Sequence, residues 1–347
     1  MKVLVTGHEG YIGSVLCPLL VARGHRVVGL DIGYFSDYAF LPPEGDVPRR
    51  RRDVRDLTAE DLAGIDAVIH LAALSNDPMG QLHPQLTAEI NHRGSVRIAE
   101  LARCAGATRF VFSSSCSMYG AGGDRPLAET APFNPVSAYA ISKVESERDI
   151  AALACDDFSP TFMRNATAYG VSPRMRTDLV VNNFVGWAVT TGQIRILSDG
   201  TPWRPVVHIR DIAAAMAAVL EVPRKRVHNV AFNVGRDEDN YQVREIADVV
   251  ASTVPGSTVV YAGTGEPDKR SYRVDFGKIK RELPEFRPAW DVRKGAAEIY
   301  EAFRLCKLDR ALFEGRHLVR LAQLRYLLET AKVTPDLRWA DAAEMPA

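Results

Sequence analysis

The sequence predicts an α/β protein with a doubly wound parallel sheet, a smaller interleaved α/β lobe towards the C-terminus and a helical tail. In the first half of the chain, short runs of β-branched residues alternate with amphipathic stretches, which is the pattern of right-handed βαβ units. A glycine-rich turn directly follows the first of these runs. From about residue 171 the alternation breaks, and loops rich in Pro, Arg and Asp separate the later helical stretches.

The elements can be placed along the chain in order. Strands are predicted at 2–6, 26–30, 67–71, 109–113 and 161–165. Helices are predicted near 11–23, 86–105, 138–154, 179–191, 210–221 and 242–253. We therefore expect a main domain of residues 1–170 with about 208–234, a smaller lobe of 171–207 and 235–305, and a helical tail of 306–347. The tail has no catalytic-looking residues, and we interpret it as a packing or oligomer element.

Composition excludes several classes of protein. The 347 residues, 46% of them hydrophobic, can form a core without disulfide or metal support. Equal numbers of basic and acidic residues, 43 each, leave no overall charge to attract nucleic acid or an anionic membrane. Five scattered cysteines and the lack of a secretory signal predict reduced thiols in a cytoplasmic protein. No apolar run approaches the ~20 residues that span a bilayer, and the eight histidines lack metal-ligand spacing, so we expect no metal.

The glycine-rich turn predicts a dinucleotide site. Gly7, Gly10 and Gly13 lie between the first strand and a helix that begins near Ser14. Glycines at this spacing allow a tight turn and a close backbone approach to a diphosphate, which the helix N-terminus then binds. Asp31 ends the second strand, where a carboxylate binds the adenosine ribose and favours NAD over NADP.

Other residues near the turn are less informative. Arg49 to Arg52 precede a strand signal at Asp53-Val54, and we expect these arginines to be solvated. His8 and Glu9 have no explanation from the sequence.

A tyrosine and a lysine predict proton transfer at the same edge of the sheet. Tyr139 and Lys143 are four residues apart on a predicted helix and therefore share one of its faces. A phenol has a pKa near ~10, and we expect the neighbouring ammonium and an oxidised nicotinamide to lower it. A serine-rich run, 113–117, follows the fourth strand, where one hydroxyl can hydrogen-bond the substrate oxygen that the tyrosine serves.

Together these residues resemble the extended short-chain dehydrogenase/reductase family, and within it the nucleotide-sugar-modifying members such as UDP-glucose 4-epimerases. The segments that carry the resemblance are T-G-x-x-G-x-x-G at 6–13, H-L-A-A at 70–73, N-x-x-G at 91–94, S-S-S-x-x-x-Y-G at 113–120 and Y-x-x-x-K at 139–143. The resemblance implies a Rossmann-like fold, bound NAD and a catalytic set of Ser115, Tyr139 and Lys143. The cofactor contacts that it implies are Gly7, Gly10, Tyr11, Ile12, Gly13, Asp31, Asp53, Val54, Leu71, Ala72, Ala73, Asn91, Ser113, Tyr139 and Lys143.

The resemblance extends into the second lobe. There the second Asn of a tandem pair, Asn183, and an arginine before V-H-I, Arg204, are expected to hold the diphosphate of a nucleotide sugar. The substrate contacts that it implies are Ser75, Ser115, Cys116, Thr167, Asn183, Arg204 and Arg270. The implied partner is a nucleotide-diphosphate sugar, and the implied assembly is a homodimer.

Two departures from the family pattern narrow the reaction. Nucleotide-sugar 4,6-dehydratases carry Asp-Glu after the catalytic hydroxyl, and decarboxylases carry Glu at the second of these positions, whereas this chain has Cys116 and Ser117. We therefore expect an NAD-dependent epimerase that acts at C4 through a 4-keto intermediate, with Tyr139 as acid and base. The alternatives are an NAD(P)H-dependent reductase of a nucleotide-4-keto-deoxysugar and a non-catalytic dinucleotide-sensing protein. The latter is disfavoured because both Tyr139 and Lys143 are present.

Overall fold

The central layer of the molecule is a seven-stranded parallel sheet. The structure, a computed structural model, describes residues 1–45, 47–122, 125–263 and 271–341. The strands are β1 (Lys2–Thr6), β2 (Arg26–Asp31), β3 (Arg49–Arg51), β4 (Ala67–His70), β5 (Arg109–Ser115), β6 (Ser159–Asn165) and β10 (Val230–Val234). Their order is β10-β6-β5-β4-β1-β2-β3, and every neighbouring pair is parallel. The predicted doubly wound sheet is therefore confirmed, and its strand order reverses between β1 and β4.

Helices cover both faces of this sheet. They include α1 (Gly13–Ala22), α2 (Asp77–Leu82), α3 (Pro84–Thr87), α4 (Gly94–Cys104), α5 (Ala138–Ala151) and α7 (Ile209–Glu221). Two separate apolar clusters, one on each side of the sheet, bury the strand residues. The alternating residues of β1 show this division, since Val3 and Val5 belong to one cluster and Leu4 to the other.

The smaller lobe is built on two short sheets. Strand β7 (Thr167–Tyr169) pairs in parallel with β9 (Trp203–His208), which pairs antiparallel with β11 (Asn240–Gln242). The second sheet joins β8 (Gln193–Ile196) and β12 (Thr258–Tyr261). Helices α6 (Val180–Thr191), α8 (Val243–Thr253), α9 (Gly277–Glu282) and α10 (Val292–Leu305) complete this part of the chain. The third apolar cluster lies here and joins the lobe to the loop around Phe40.

The C-terminal tail packs against the end of β2. It contains α11 (Arg310–Phe313) and α12 (Arg320–Glu329), followed by turns. The indole Nε1 of Trp339 donates to the carbonyl of Ile32 at 2.8 Å, and the Tyr34 hydroxyl donates to the carbonyl of Leu337. The tail is thus less helical than predicted and packs on this chain, while residues 342–347 lie outside the described part.

The prediction that Arg49 to Arg52 are solvated is right for Arg49 and Arg52, whose side chains are 53% and 55% exposed, but wrong for Arg51. Arg49–Arg51 form β3. The strand expected at Asp53 is wrong, because a 3-10 turn, Val54–Asp56, begins there. Arg51 is largely buried because its guanidinium pairs with Glu9, at 2.5 Å from Nη1 to Oε2. The burial of Arg51 therefore depends on its ion pair with Glu9, which is distant in the sequence. The residues around Arg51 do not indicate this pair. Within the described residues, no helix is long and apolar enough to cross a membrane.

Candidate active site

A cleft of about 550 Å³ opens at the carboxyl edge of the central sheet, where the strand order reverses. Ligands of doubly wound proteins bind at this topological position. The predicted cofactor residues that line the cleft are Gly7, Gly10, Tyr11, Ile12, Gly13, Asp31, Asp53, Val54, Leu71, Ala72, Ala73, Ser113, Tyr139 and Lys143. The predicted substrate residues that line it are Ser75, Ser115, Thr167 and Arg204. The structure therefore brings most of the predicted site together.

The glycine turn forms a cradle that side chains would fill. Gly7 has φ +72°, and a Cβ added there would lie 2.8 Å from the backbone nitrogen of Ala72. A Cβ added at Gly13 would lie 2.3 Å from the carbonyl oxygen of Gly7. The turn therefore needs glycine at both positions to hold the start of α1 against it. The backbone amides at this helix N-terminus fit the diphosphate of a dinucleotide.

At the adenosine end of the cleft, the Asp31 carboxylate is held by two backbone amides. Glu9 N–H donates to Oδ2 at 3.1 Å, and Gly33 N–H donates to Oδ1 at 2.8 Å. Beside it, Glu9 pairs with Arg51 and also lies 3.5 Å from Arg49. Hydrogen bonding and the charge of Arg51 outweigh burial and lower the pKa of Glu9. The environment of Glu9, which the sequence left unexplained, is therefore a cluster of arginines next to Asp31.

Asp53, the second acid at this end, is held by Arg55. The Asp53 carboxylate accepts from the Arg55 backbone N–H at 2.8 Å and from its Nη2 at 2.6 Å. The same guanidinium reaches the carbonyl of Asp336 in the tail, at 2.8 Å from Nη1. The tail therefore helps to fix the acid that is expected to contact adenine.

The three predicted catalytic residues meet at the other end of the cleft. Ser137 caps helix α5 by accepting from the Ala140 N–H at 3.1 Å, and this start places Tyr139 and Lys143 on the cleft side. The Lys143 ammonium donates to the carbonyl of Ser113 at 2.7 Å and lies 5.7 Å from the centre of the Tyr139 ring. Ser115 ends β5 and lies beside Tyr139 on the same wall of the cleft.

Burial controls the protonation of both groups. It raises the pKa of Tyr139 to about 12, although hydrogen bonding from Ser115 and the charge of Arg176 act to lower it. It lowers the pKa of Lys143 to about 7, against the opposing effect of Glu147. Burial of the phenol therefore dominates its pKa in this structure. The expected lowering by the lysine together with an oxidised nicotinamide stays a prediction.

Three predicted contacts lie away from the cleft wall. Asn91 is buried beneath it, where its side chain accepts from the Leu74 N–H at 2.8 Å and supports the wall from behind. The Cys116 thiol is fully buried and donates to the carbonyl of Arg164 at 3.1 Å. The Asn183 side chain donates to the carbonyl of Thr177 at 2.9 Å. Arg270 lies outside the described residues.

Several residues of the cleft were missed by the sequence analysis. These are Asn76, Asp77, Ser117, Arg176 and Asp178, together with Val319, Arg320 and Leu321 of the tail. A signal for Arg176 and Asp178 existed in the charged segment before α6, but nothing in the tail sequence indicated that it reaches the cleft. Among the described residues, no three His, Cys, Asp or Glu side chains are grouped as metal ligands.

Comparisons with known proteins found a matching family model and several similar proteins. The model of the NAD dependent epimerase/dehydratase family matches residues 3–235. A UDP-glucose 4-epimerase of Mycolicibacterium smegmatis is 29% identical, over 88% of this chain and 99% of its own length. UDP-glucuronic acid decarboxylase 1 of Arabidopsis thaliana is 26% identical, over 88% of this chain and 70% of its own length.

A solved structure shares the fold. The protein MoeE5, solved in complex with UDP-glucose and NAD, is 28% identical, with a TM-score of 0.76 over 89% of this chain and 100% of its own. Relatives with different reactions are thus similar to this chain at comparable identities, and the residues of the cleft must discriminate between those reactions.

Proposed function

The chain belongs to the NAD dependent epimerase/dehydratase family, and on that premise we propose that it epimerises a nucleotide-diphosphate hexose at C4 through a transient 4-keto sugar. The observation that carries this proposal is the meeting of Ser115, Tyr139 and Lys143 in a cleft whose next two residues, Cys116 and Ser117, are not acids. When bound, NAD accepts the hydride from C4 and returns it.

Tyr139 is proposed to move the proton of the 4-hydroxyl. As a neutral phenol, Tyr139 can donate a proton. A positive charge near the phenol favours the phenolate, and in that form Tyr139 can accept a proton. Lys143 donates to the Ser113 carbonyl and lies 5.7 Å from the centre of the Tyr139 ring. It would hold the ribose of the nicotinamide when the dinucleotide is bound. Ser115 hydrogen-bonds the same substrate oxygen, and this contact aligns C4 with the proton donor.

The surroundings of Cys116 argue against loss of water or carbon dioxide. Its thiol is fully buried, donates to a backbone carbonyl and has a raised pKa, so it cannot exchange protons with a sugar carbon. Two cleft carboxylates are already bound to neighbours, since Asp77 accepts from the Ser137 hydroxyl and Asp178 pairs with Arg176 at 2.7 Å. These contacts favour chemistry that stays at C4.

The substrate is proposed to lie with its sugar between Tyr139 and Thr167 and its diphosphate towards Arg204. All three residues line the cleft. A guanidinium suits a diphosphate because it donates in a planar fork. UDP-glucose is the first substrate to test, because the epimerase of M. smegmatis and the solved MoeE5 complex are named for it. We extend the proposal to the expected cytoplasmic homodimer, whose molar mass in solution can be measured by light scattering.

The test is turnover without added cofactor. Purified protein is incubated with UDP-, dTDP-, GDP- and CDP-hexoses, and the products are identified by NMR. We expect a C4 epimer from at least one of them and no turnover by Tyr139→Phe, which should keep its bound dinucleotide. Tyr300→Phe, a tyrosine of α10 away from the cleft, is the matched control.

Other outcomes would replace the proposal. Oxidation of added NADPH by a 4-keto-deoxysugar, with no epimerisation of any hexose, would identify a reductase. Undiminished turnover by Tyr139→Phe would remove the tyrosine from the reaction.

A further inference from the structure

Two buried arginines from distant parts of the sequence face the cleft. Arg176 lies in the segment before α6, and Arg320 is the first residue of α12 in the tail. Their exposed fractions are only 6% and 4%. Buried guanidinium groups are costly unless an anion accompanies them, so their partners indicate what this part of the cleft binds.

Arg176 has one anionic partner. Its Nε and Nη2 donate to the carboxylate of Asp178, at 2.9 and 2.7 Å, and its Nη1 donates to the Ser75 hydroxyl at 3.2 Å. The Asp178 carboxylate also accepts from the Asn76 side chain at 2.7 Å. The Asp178 carboxylate therefore forms its ion pair with Arg176 and accepts a further hydrogen bond from Asn76.

Arg320 has no carboxylate of its own. Its Nη2 donates to the carbonyl of Arg174 at 2.9 Å, and its guanidinium lies 4.1 Å from the centre of the Phe35 ring. Within the described part of the chain, no carboxylate oxygen lies within 4.0 Å of its nitrogens. Burial and the charge of Arg176 lower its pKa to about 9. Among the described residues, Arg320 is therefore a buried cation with no carboxylate in direct contact, and the charges of Asp178 and Asp31 act on it only from a greater distance.

Hydrogen bonds place both arginines opposite the glycine turn. The Ser172 hydroxyl donates to the carbonyl of Tyr11 at 2.8 Å and accepts from the Arg174 N–H at 3.1 Å. The Asn182 side chain joins the carbonyl of Arg176 to the Tyr11 hydroxyl, at 2.8 and 3.1 Å. The segment that carries Arg176 and supports Arg320 is thus tied at two points to Tyr11, beside the start of α1.

We propose that Arg320, with Arg176 beside it, holds the diphosphate of the dinucleotide from the side opposite the glycine turn. A diphosphate carries negative charge on both phosphates, and the helix N-terminus alone supplies only partial positive charge. The tail residue therefore completes the cofactor site. This inference needs the use of NAD by the family and not the C4 reaction, so it stands or fails separately from the proposed function.

The position of Arg320 favours the cofactor's diphosphate over that of the substrate. Asp31 and Asp178 are the carboxylates whose charges act on Arg320, and Asp31 marks the adenosine end of the cleft. Phe35, on which the guanidinium packs, follows β2 at the same end. Arg204, in the other lobe, also lines the cleft and is the residue proposed above for the substrate's diphosphate.

The test compares ligands with and without a diphosphate, and with adenine or uracil as the base. Protein stripped of dinucleotide is titrated with NAD, ADP, UDP and adenosine by calorimetry. We expect Arg320→Met to weaken NAD and ADP at least tenfold, to leave UDP and adenosine within twofold, and Arg320→Lys to recover part of the loss. Arg316→Met is the matched control, because Arg316 lies in the same tail but packs on Tyr326 outside the cleft.

Equal losses for ADP and adenosine would overturn the proposal, because they would indicate only a displaced tail. A loss confined to UDP would also overturn it and assign the arginine to the substrate. If Arg320→Met does not fold, Arg320→Lys gives the answer, because it keeps the positive charge but loses the planar fork of the guanidinium. Its affinity for ADP should fall while its affinity for adenosine stays constant; equal behaviour of the two ligands would contradict the proposal.

Discussion

At the scale of single residues, charge neutralisation around Asp31 determines which dinucleotide fits. Glu9 lies among Arg49, Arg51 and Arg174, whose charges all act on this part of the cleft. Its carboxylate balances one of them and adds negative charge next to Asp31. We expect this charge, which lies behind Asp31, to act with Asp31 against a 2′-phosphate on the adenosine ribose.

We predict that Glu9→Gln shifts the preference towards NADP. Loss of the carboxylate removes the ion pair between Glu9 and the guanidinium of Arg51, which lies beside Gly33, and this positive charge then favours a 2′-phosphate. The ratio of the dissociation constants for NADP and NAD should fall at least tenfold, measured by calorimetry. Glu9→Gln/Arg51→Gln should lose this gain, and an unchanged ratio in the single variant would rule out Glu9 as a specificity residue.

Lys143 gives a prediction on stability. Its pKa is about 7 in the folded chain, below the ~10.4 of an unfolded lysine. Between these values the unfolded chain binds more protons, so the lysine's contribution to stability rises with pH; below about 7 the folded state bears the full cost of the buried charge.

Lys143→Met should therefore raise the free energy of unfolding at pH 6, and the gain should shrink as the pH approaches 10. Urea denaturation at a series of pH values measures this. Lys280→Met, at an exposed position of α9, is the matched control and should show no such trend. A gain that grows with pH would contradict the burial of a charged Lys143.

At the scale of elements, those that depend on neighbouring residues in the sequence were predictable. The first strand, the glycine turn and the following helix are examples, because the backbone conformation of the turn requires glycine at fixed spacing. The strand at Arg49–Arg51 was not predictable, since it depends on Glu9 from another turn and on pairing with β2. Cys116 and Asn183 were expected to contact the substrate, yet their side chains donate to neighbouring carbonyls and lie away from the cleft wall.

Gly13→Ala tests the junction between the glycine turn and α1. The added Cβ would lie 2.3 Å from the Gly7 carbonyl oxygen and 2.5 Å from the His8 Cα, so the helix must shift. We expect a loss of about 1–3 kcal/mol in the free energy of unfolding and loss of bound dinucleotide.

Gly94→Ala is the matched control, because its Cβ would meet nothing closer than 3.5 Å. Thermal denaturation and the dinucleotide content of the purified proteins check both variants. Equal behaviour of the two would contradict the assigned role of Gly13.

At the scale of the whole molecule, three parts of the chain enclose one cleft. The central sheet supplies the glycine turn and the catalytic residues, the smaller lobe supplies Arg176 and Arg204, and the tail supplies Arg320. The contribution of the tail was the least predictable from sequence. Its position depends on contacts between residues that are far apart in the chain, such as Arg338 and Asp56, which are 282 positions apart.

Trp339→Ala tests whether the tail is needed for retention of the dinucleotide. The substitution removes the bond to the Ile32 carbonyl and the packing on Tyr34, whose ring centre lies 6.0 Å away. We expect about 2 kcal/mol less stability, since the indole is only partly buried, and faster dissociation of NAD, measured by exchange into excess unlabelled NAD. Leu305→Ala, 71% exposed at the end of α10, should change neither; an unaltered dissociation rate in Trp339→Ala would separate the tail from cofactor retention.

The central claim is that the hydride leaves C4 of the sugar and returns to it. The most direct measurement uses UDP-glucose carrying deuterium at C4, or the nucleotide hexose that the substrate panel identifies, with the purified protein and no added cofactor. The account predicts the C4 epimer with its deuterium still at C4, observed by NMR. Release of water or carbon dioxide, or a product whose deuterium has been lost to solvent, would contradict it.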